Sequence, residues 1–427
     1  MSYYFIILIV FQSYRSFCVR MTFSQEEAVK GLKDVTKMLE EGGEVDSSAL
    51  CLIEEFLKKF PLFSQGRNMS TFPPELLQLI FSFLPLDDLK SVVRVCKRWL
   101  DVGEGSQLWE SKKAIFQGGE GISFSSAVEV TRRRRIKSMQ AIGLSSGQME
   151  KAVIGMTGHL GLEELDLGGG DLGYLGRCSI QTLSPELLRS ALPNLVKVNL
   201  SNSEPTEEQL NYLFSSLNPV GKITSLNLEQ VNLTGIAPEL FAKAANLVDL
   251  NLGDTVVNVE QIQAVWSAVE QAPDLQLNKL SMKSMDLSTV SPQALQKVAR
   301  KVQILDISNA ALSPTQCNAI FPALLINPDV KEINLSDNSL SSVLPENLAK
   351  AVQKSRKFLL ANTSLTVHQV EAILTAVSSE ASYLHTLDLS NNLLSVVEPE
   401  LLCDALMTLE SATLYDTSLT VAQVCRD

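Results

Sequence analysis

Paired cysteines are missing from this sequence. The seven that occur (Cys18, Cys51, Cys96, Cys178, Cys317, Cys403 and Cys425) are scattered, with no CxxC spacing among them. An odd, unclustered set argues against a disulfide framework and a thiolate zinc site, and for reduced thiols of the cytosol or nucleus. Histidine is scarce as well. His159, His368 and His385 have no cysteine or acid motif beside them, so no metal-ligand constellation is formed. No nucleophile motif is present, and nothing implies a cofactor. Positive charge is in deficit: the formal net charge is −12, which argues against nucleic-acid phosphate as a partner. Also lacking is a membrane span. The apolar run from Tyr3 to Phe11 is nine residues long, against the roughly 20 that cross a bilayer. It has neither the basic start nor the small-residue cleavage site of a signal peptide. It reads as an upstream extension over 1–21 with Met21 as an alternative start; a targeting segment is the competing reading.

What remains is an ordinary globular composition, 45% hydrophobic and 20% charged over 427 residues, enough for two or three units. Residues 22–66 read as two amphipathic helices. Ser24 with Glu27 makes a capping box ahead of Val29, Leu32, Val35, Met38 and Leu39. Gly42-Gly43 ends that helix, and a second stripe, Leu50, Ile53, Phe56, Leu57 and Phe60, stops at Pro61. Such stripes are usually core.

From residue 159 onward the sequence repeats itself. The block Leu162-x-x-Leu165-x-Leu167 recurs so that its middle apolar position falls at 165, 198, 226, 250, 280, 305, 333, 358, 387 and 412. These ten copies are separated by 33, 28, 24, 30, 25, 28, 25, 29 and 25 residues, so long and short units alternate after the first step. Two ladders keep the same beat. Proline recurs at Pro185, Pro238, Pro292, Pro345 and Pro399, and glutamine at Gln209, Gln261, Gln316, Gln369 and Gln423. Proline suits the first turn of a helix, where no N–H bond is required. Each glutamine follows a cap by three residues (Thr206, Asn258, Ser313, Thr366, Thr420), the spacing of a capping box. One short strand followed by one helix is therefore predicted per unit. Such a unit buries its apolar face only against its neighbour.

The alternating lengths and the Leu-Asp-Leu-Ser-Asn-Asn segment at 387–392 resemble the ribonuclease-inhibitor type of leucine-rich repeat. That resemblance implies an α/β horseshoe solenoid over 159–427, strands on the concave side and helices outside, where Trp266 would pack. The repeat's turn asparagine is present at Asn338 and Asn392; elsewhere it becomes Gly170, Ser203, Val231, Thr255, Met285, Ala310, Thr363 and Thr417. The last unit stops at Asp427, as a stripped-down final repeat or a truncated one.

Ahead of the repeats, over 70–115, lies Phe72-Pro73-Pro74-Glu75-Leu76-Leu77, then Ile80-Phe81, Leu84-Pro85, Asp87-Asp88-Leu89, Val95-Cys96-Lys97-Arg98-Trp99 and Leu108-Trp109. Prolines open a helix with residues 76, 77, 80, 81 and 84 on one face; Pro85 ends it. Asp87 is placed to cap a second helix with a stripe at 89, 92, 93, 96 and 99. A forty-residue helical segment cannot hide that much apolar surface, so a partner is expected. The order of elements resembles an F-box, with Phe72 where leucine is usual. The resemblance implies a small all-α domain that binds the Skp-type adaptor of a cullin ubiquitin ligase. Phe72, Pro73, Leu76, Leu77, Ile80 and Leu84 would face the adaptor, and Leu89 and Trp99 would support or complete the contact. Cys96 would be a small core residue.

Two other signals are set aside. Gly168-x-Gly170-x-x-Gly173 fits a dinucleotide fingerprint but falls in the repeat register without a suitable βαβ unit. Arg132 to Arg135 with Lys137, inside a junction and repeat cap at 116–158, reads as a solvated joint or a nuclear signal. The functional expectation is a non-catalytic substrate receptor, cytoplasmic or nuclear, with the repeats holding an unknown protein target. A non-ligase repeat scaffold is the alternative. Candidate target contacts are the polar positions between the second and third apolar residues: Asp166, Asn199, Asn227, Asn251, Ser281, Asp306, Asn334 and Asp388. Simple solvation explains such a ladder equally well; if it binds, an acidic, amide-rich floor favours a basic or hydrogen-bonding partner.

Overall fold

The computed structural model describes residues 74–82, 84, 89, 92–110, 112–118, 128, 131, 133–157, 162–168, 180–217, 221–379, 382–420 and 423. The extension at 1–21, the helices expected within 22–66, and Phe72, Pro73, Pro85 and Asp87 lie outside them. The chain divides into two compact units, one made of residues up to Ala114 with Arg134–Ile136, the other of Ile115–Arg133 and Lys137–Asp427.

The second unit is the predicted solenoid. Its sheet has twelve strands in sequence order: β1 Lys113–Gln117, β2 Ser138–Ile142, β3 Glu164–Asp166, β4 Lys197–Asn199, β5 Ser225–Asn227, β6 Asp249–Asn251, β7 Lys279–Ser281, β8 Ile304–Asp306, β9 Glu332–Asn334, β10 Lys357–Leu359, β11 Thr386–Asp388 and β12 Ser411–Thr413. The pairing from β2 to β12 is parallel throughout, and the ten middle residues read from the sequence are the centres of β3 to β12, each facing its counterpart in register. A strand only three residues long has one inward side chain, which is why every unit needs its neighbour. From Leu165 to Leu387 these centres are at most 2% exposed.

The sheet begins earlier than the sequence reading placed it. The stretch 116–158, read as a junction and cap, contains the last two residues of β1, all of β2 and the helix Ser146–Thr157. The signal was there: Ile136-x-x-Met139-x-Ala141 fits the repeat block, all three side chains are fully buried, and Met139 pairs with Leu165. It was hidden because Met and Ala stand where leucine is the rule.

Helix starts follow the two ladders. Pro185, Pro238, Pro292, Pro345 and Pro399 each occupy the first helical turn. Thr206/Gln209, Asn258/Gln261, Ser313/Gln316 and Thr366/Gln369 are complete capping boxes. Each glutamine also does something no box requires. Its Nε2 donates to two carbonyls of the preceding unit, as Gln209 does to Ile180 and Leu183 at 2.9 and 2.6 Å, and Gln261 to Leu233 and Ile236 at 2.7 and 2.6 Å. Gln316, Gln369 and Gln423 repeat the pattern. The ladder thus stitches consecutive units as well as starting helices. Trp266 lies buried within the helix Val259–Gln271.

A third periodic feature went unread. Three residues past the end of each strand from β4 to β12 stands a residue with left-handed backbone: Asn202, Gln230, Asp254, Ser284, Asn309, Asp337, Asn362, Asn391 and Asp416, with φ between 50° and 60°. None is glycine. Asn and Asp tolerate this region better than other side-chain-bearing residues, and six of the first eight of these turns, together with the ninth, use one of them.

Candidate interaction surfaces

In the first unit, the helix Pro74–Ser82 includes Leu76, Leu77 and Ile80. Leu77 and Phe81 are buried, as are Leu84, Leu89, Leu108 and Trp109. The Phe81 ring meets Trp99 edge-on, with centroids 5.4 Å apart. The indole N–H of Trp99 is shut off from solvent without a hydrogen-bond partner, whereas that of Trp109 donates to the Gly103 carbonyl at 2.5 Å. Arg134 stacks over Trp109 with its guanidinium carbon 4.6 Å from the ring centroid, and reaches Glu104 at 3.2 Å. Part of the basic run is therefore a structural clasp on this unit. Lys112 donates to the Ser82 carbonyl, and burial lowers its pKa.

The single second helix expected from the stripe 89–99 is corrected. The chain turns at Val93–Val95, Cys96 is extended at φ −158°, and a new helix runs Lys97–Gly103, followed by Ser106–Glu110. Cys96 stands at the N-cap, half-buried, without a side-chain capping bond. The break turns Val95 outward. Val95 is 62% exposed and Leu100 36%, the exposed large apolar side chains of this unit among the described residues. Neither was selected from the sequence, because Val95 lies off the stripe of an unbroken helix.

The tight turn relies on Gly103. A Cβ there would sit 2.3 Å from Cγ1 of Val93. Gly103→Ala should destabilise this unit by about 1–3 kcal/mol, the cost of overpacking a filled core. Chemical denaturation followed by tryptophan fluorescence checks this; a midpoint equal to wild type would show that the site relaxes freely.

On the repeat unit, the predicted target positions are the third residues of their strands. Asp166, Asn199, Asn227, Asn251, Ser281, Asp306 and Asn334 form one column in register across β3 to β9; Leu359 interrupts it on β10, and Asp388 resumes it on β11. All eight predicted residues are half-buried. Their side chains are not simply solvated. Oδ1 of Asp166, Asn199, Asn227, Asn251, Asp306, Asn334 and Asp388 accepts the backbone N–H two residues on, at 2.9–3.2 Å, closing the turn out of the strand. Asparagine and aspartate recur there because both make this Asx turn.

A second column was missed. The first residues of the strands, Glu164, Lys197, Asp249, Lys279, Glu332 and Lys357 among them, share the concave face by the same alternation. Lys197 pairs with Glu164 at 2.6 Å and Lys357 with Glu332 at 3.8 Å. Beside this column Lys283 meets Asp254 at 2.9 Å. Burial opposes ionisation of Asp254, but hydrogen bonds from Lys283 and Ser284 outweigh it and hold the carboxyl below its usual range; the same hydrogen bond raises Lys283. The buried thiol of Cys317 is pushed up to about 11 by desolvation and is a packing group at neutral pH.

These two surfaces have counterparts in known families. A family model described as F-box-like matches residues 69–113, and a Leucine Rich Repeat model matches 329–351 and 383–405. The chain carries an F-box-like segment and leucine-rich repeats. Its repeats are similar to the Ribonuclease inhibitor of Mus musculus, 25% identical over 250 residues, which is 56% of this chain and 49% of the relative. The F-box-like/leucine-rich-repeat chain thus spans about half the length of that curated relative. Its F-box-like match ends at Lys113, the first residue of β1. No described helix of this F-box-like protein is long and apolar enough to cross a membrane.

Proposed function

We propose that this protein is the substrate-recognition subunit of a ubiquitin ligase of the Skp adaptor–cullin–F-box type. In this reading the segment around 72–99 binds the adaptor and the repeats hold a protein target. The observation that carries it is the F-box-like match at 69–113 on the same chain as a concave repeat surface. The chain supplies position, and the bond chemistry belongs to a separate conjugating enzyme, so the protein itself needs no catalytic group. It acts in the cytoplasm or nucleus, where cullin ligases meet their targets. Leu77, Leu84 and Leu89 are buried in the free chain, so in this reading their part is to hold the helix Pro74–Ser82 in place; Trp99 packs edge-on against Phe81.

Affinity copurification of the intact chain beside a Pro73→Ala/Leu76→Ala double variant tests this. Wild type should capture the Skp-type adaptor and cullin, and the double variant should retain less than about a tenth of that signal, as expected when central apolar contacts are lost. Absence of adaptor from the wild-type sample would overturn the ligase reading and leave a repeat scaffold.

A further inference from the structure

We infer that the target seat on the repeats is a donor-rich cleft centred on Lys279, and that it takes an extended protein segment carrying an anionic side chain next to an apolar one. This rests on the receptor reading above and narrows the kind of target.

A cleft of about 260 Å³ opens on the concave face from β5 to β10. Three lysines surround it: Lys279, Lys283 and Lys357. Lys279 opens β7 and Lys283 lies in the turn that leaves it; Lys357 is three strands from Lys279, about 14 Å at 4.8 Å per strand. Ile304 and Leu359 supply apolar floor between them. Counting charges gives no preference, because Glu229, Asp306 and Glu332 line the same cleft. Counting partners does.

Every acid lining the cleft is already engaged. Glu229 accepts Nδ2 of Asn251 at 3.1 Å, Asp306 accepts both the backbone N–H and the hydroxyl of Ser308 at 3.1 and 2.7 Å, and Glu332 lies 3.8 Å from Lys357. Asp254, just outside, holds Lys283. Lys279 differs. The strand register aligns three acid–lysine pairs along the first column: Glu164 with Lys197, Asp249 with Lys279, and Glu332 with Lys357. The first and third are closed ion pairs. The middle pair is open: among the described residues the Lys279 ammonium is exposed and makes no ion pair within 4.0 Å. Oδ1 of Asp249 lacks a partner too, but it is shut off from the surface and offers nothing to an incoming chain. The amides point the same way, since Asn334 uses its oxygen on the Ser336 N–H, which leaves its Nδ2 as a donor facing the cleft. Each of the three lining acids has one oxygen engaged within the protein, whereas Lys279 has no ion-pair partner among the described residues, and that difference favours a ligand that brings an acceptor to Lys279. This differs from the expectation of a basic or hydrogen-bonding partner, because one oxygen of each Asp or Asn in the ladder already closes its own turn.

Fluorescence anisotropy on the full chain tests it with three labelled ten-residue peptides alternating leucine with glutamate, glutamine or lysine, and a fourth with phosphoserine in place of glutamate. The glutamate or phosphoserine peptide should bind at least tenfold more tightly than the other two, and the better of these two identifies carboxylate or phosphate as the group. Lys279→Glu should remove that binding, and Lys279→Gln should weaken it about tenfold. Lys197→Glu, a lysine of the same column in a closed pair, should leave it unchanged. Preference for the lysine peptide, equal binding of all four, or no binding by wild type would overturn the inference. Adaptor capture by Lys279→Glu is measured in parallel. Retained capture with lost peptide binding supports the cleft; failure of wild type to capture adaptor while peptide binding obeys the pattern sinks the ligase reading alone.

Discussion

Replacing Asn338 with Asp is expected to cost the repeat unit about 4 kcal/mol and to strip protection from the amides of Ala310 and Leu312. Asn338 is buried, and its side chain makes five hydrogen bonds. Nδ2 donates to the carbonyls of Ile307, Leu335 and Ser336 at 2.9, 3.1 and 3.2 Å. Oδ1 accepts from the amides of Ala310 and Leu312 at 3.2 and 3.3 Å. The amide therefore ties one turn to the turn before it. Aspartate keeps the acceptor, loses all the donors and faces three carbonyl oxygens with an acid in a buried site. Each buried group left unpaired costs about 1–3 kcal/mol, which sets the estimate. The chain provides its own control. Ser203, Thr255, Thr363 and Thr417 occupy the equivalent position and donate one hydroxyl bond to the carbonyl three residues back, at 2.5–2.9 Å. Asn338→Thr should accordingly cost less, about 1–2 kcal/mol. Urea unfolding with amide exchange separates the cases, and protection around β4 should persist, because a solenoid couples mainly nearest neighbours. Equal stability of Asn338→Asp and wild type would mean that these bonds contribute nothing net.

The second large effect is at Gln316. Its Nε2 donates to Leu287 and Val290, both at 2.7 Å, and its Oε1 accepts the Ser313 amide at 2.8 Å. Gln316→Ala leaves two carbonyls and one amide buried without partners and opens a cavity, so about 3–4 kcal/mol should be lost. Gln316→Glu should be no better, since a carboxylate restores the acceptor but repels both carbonyls. The same alanine change at Gln423 offers a graded comparison. Gln423 makes equivalent bonds to Leu394 and Val397 at 2.8 Å but is only half-buried, and water can replace what is lost. A loss under about 1 kcal/mol is expected there. If the two alanine variants unfold at the same urea concentration, burial is not what gives the ladder its strength.

Much of this architecture was legible because it is written periodically. Leucine at the strand centre, proline at the helix start and glutamine after the cap each solve a local problem that recurs in every unit, and recurrence over ten units makes even a weak signal plain. The F-box-like segment was legible for another reason: prolines, Asp87-Leu89 and Cys96-x-x-Trp99 occur in a fixed order that a stray amphipathic hairpin would not reproduce. The features missed are those where one residue type serves two purposes. Asp306 in a strand reads as a charge offered to a partner, yet its oxygen closes a turn. Asn309 reads as polar surface, yet its backbone lies in the left-handed region. Val93 to Cys96 fits a helical stripe, yet the chain breaks there.

By itself, then, the sequence determined the repeat, its strand centres, its helix starts and the family of its N-terminal segment, since each depends on residues close together in the chain or on a period that needs no coordinates. Only the tertiary structure decided which side chains remain free. Lys197, Lys279 and Lys357 look alike in sequence, and each has an acid beside it in register. Whether that acid closes the pair depends on distances between strands 25 to 33 residues apart. A local pattern sets the charge at each position, while packing of neighbouring units sets whether that charge is spent inside the protein or left for a partner.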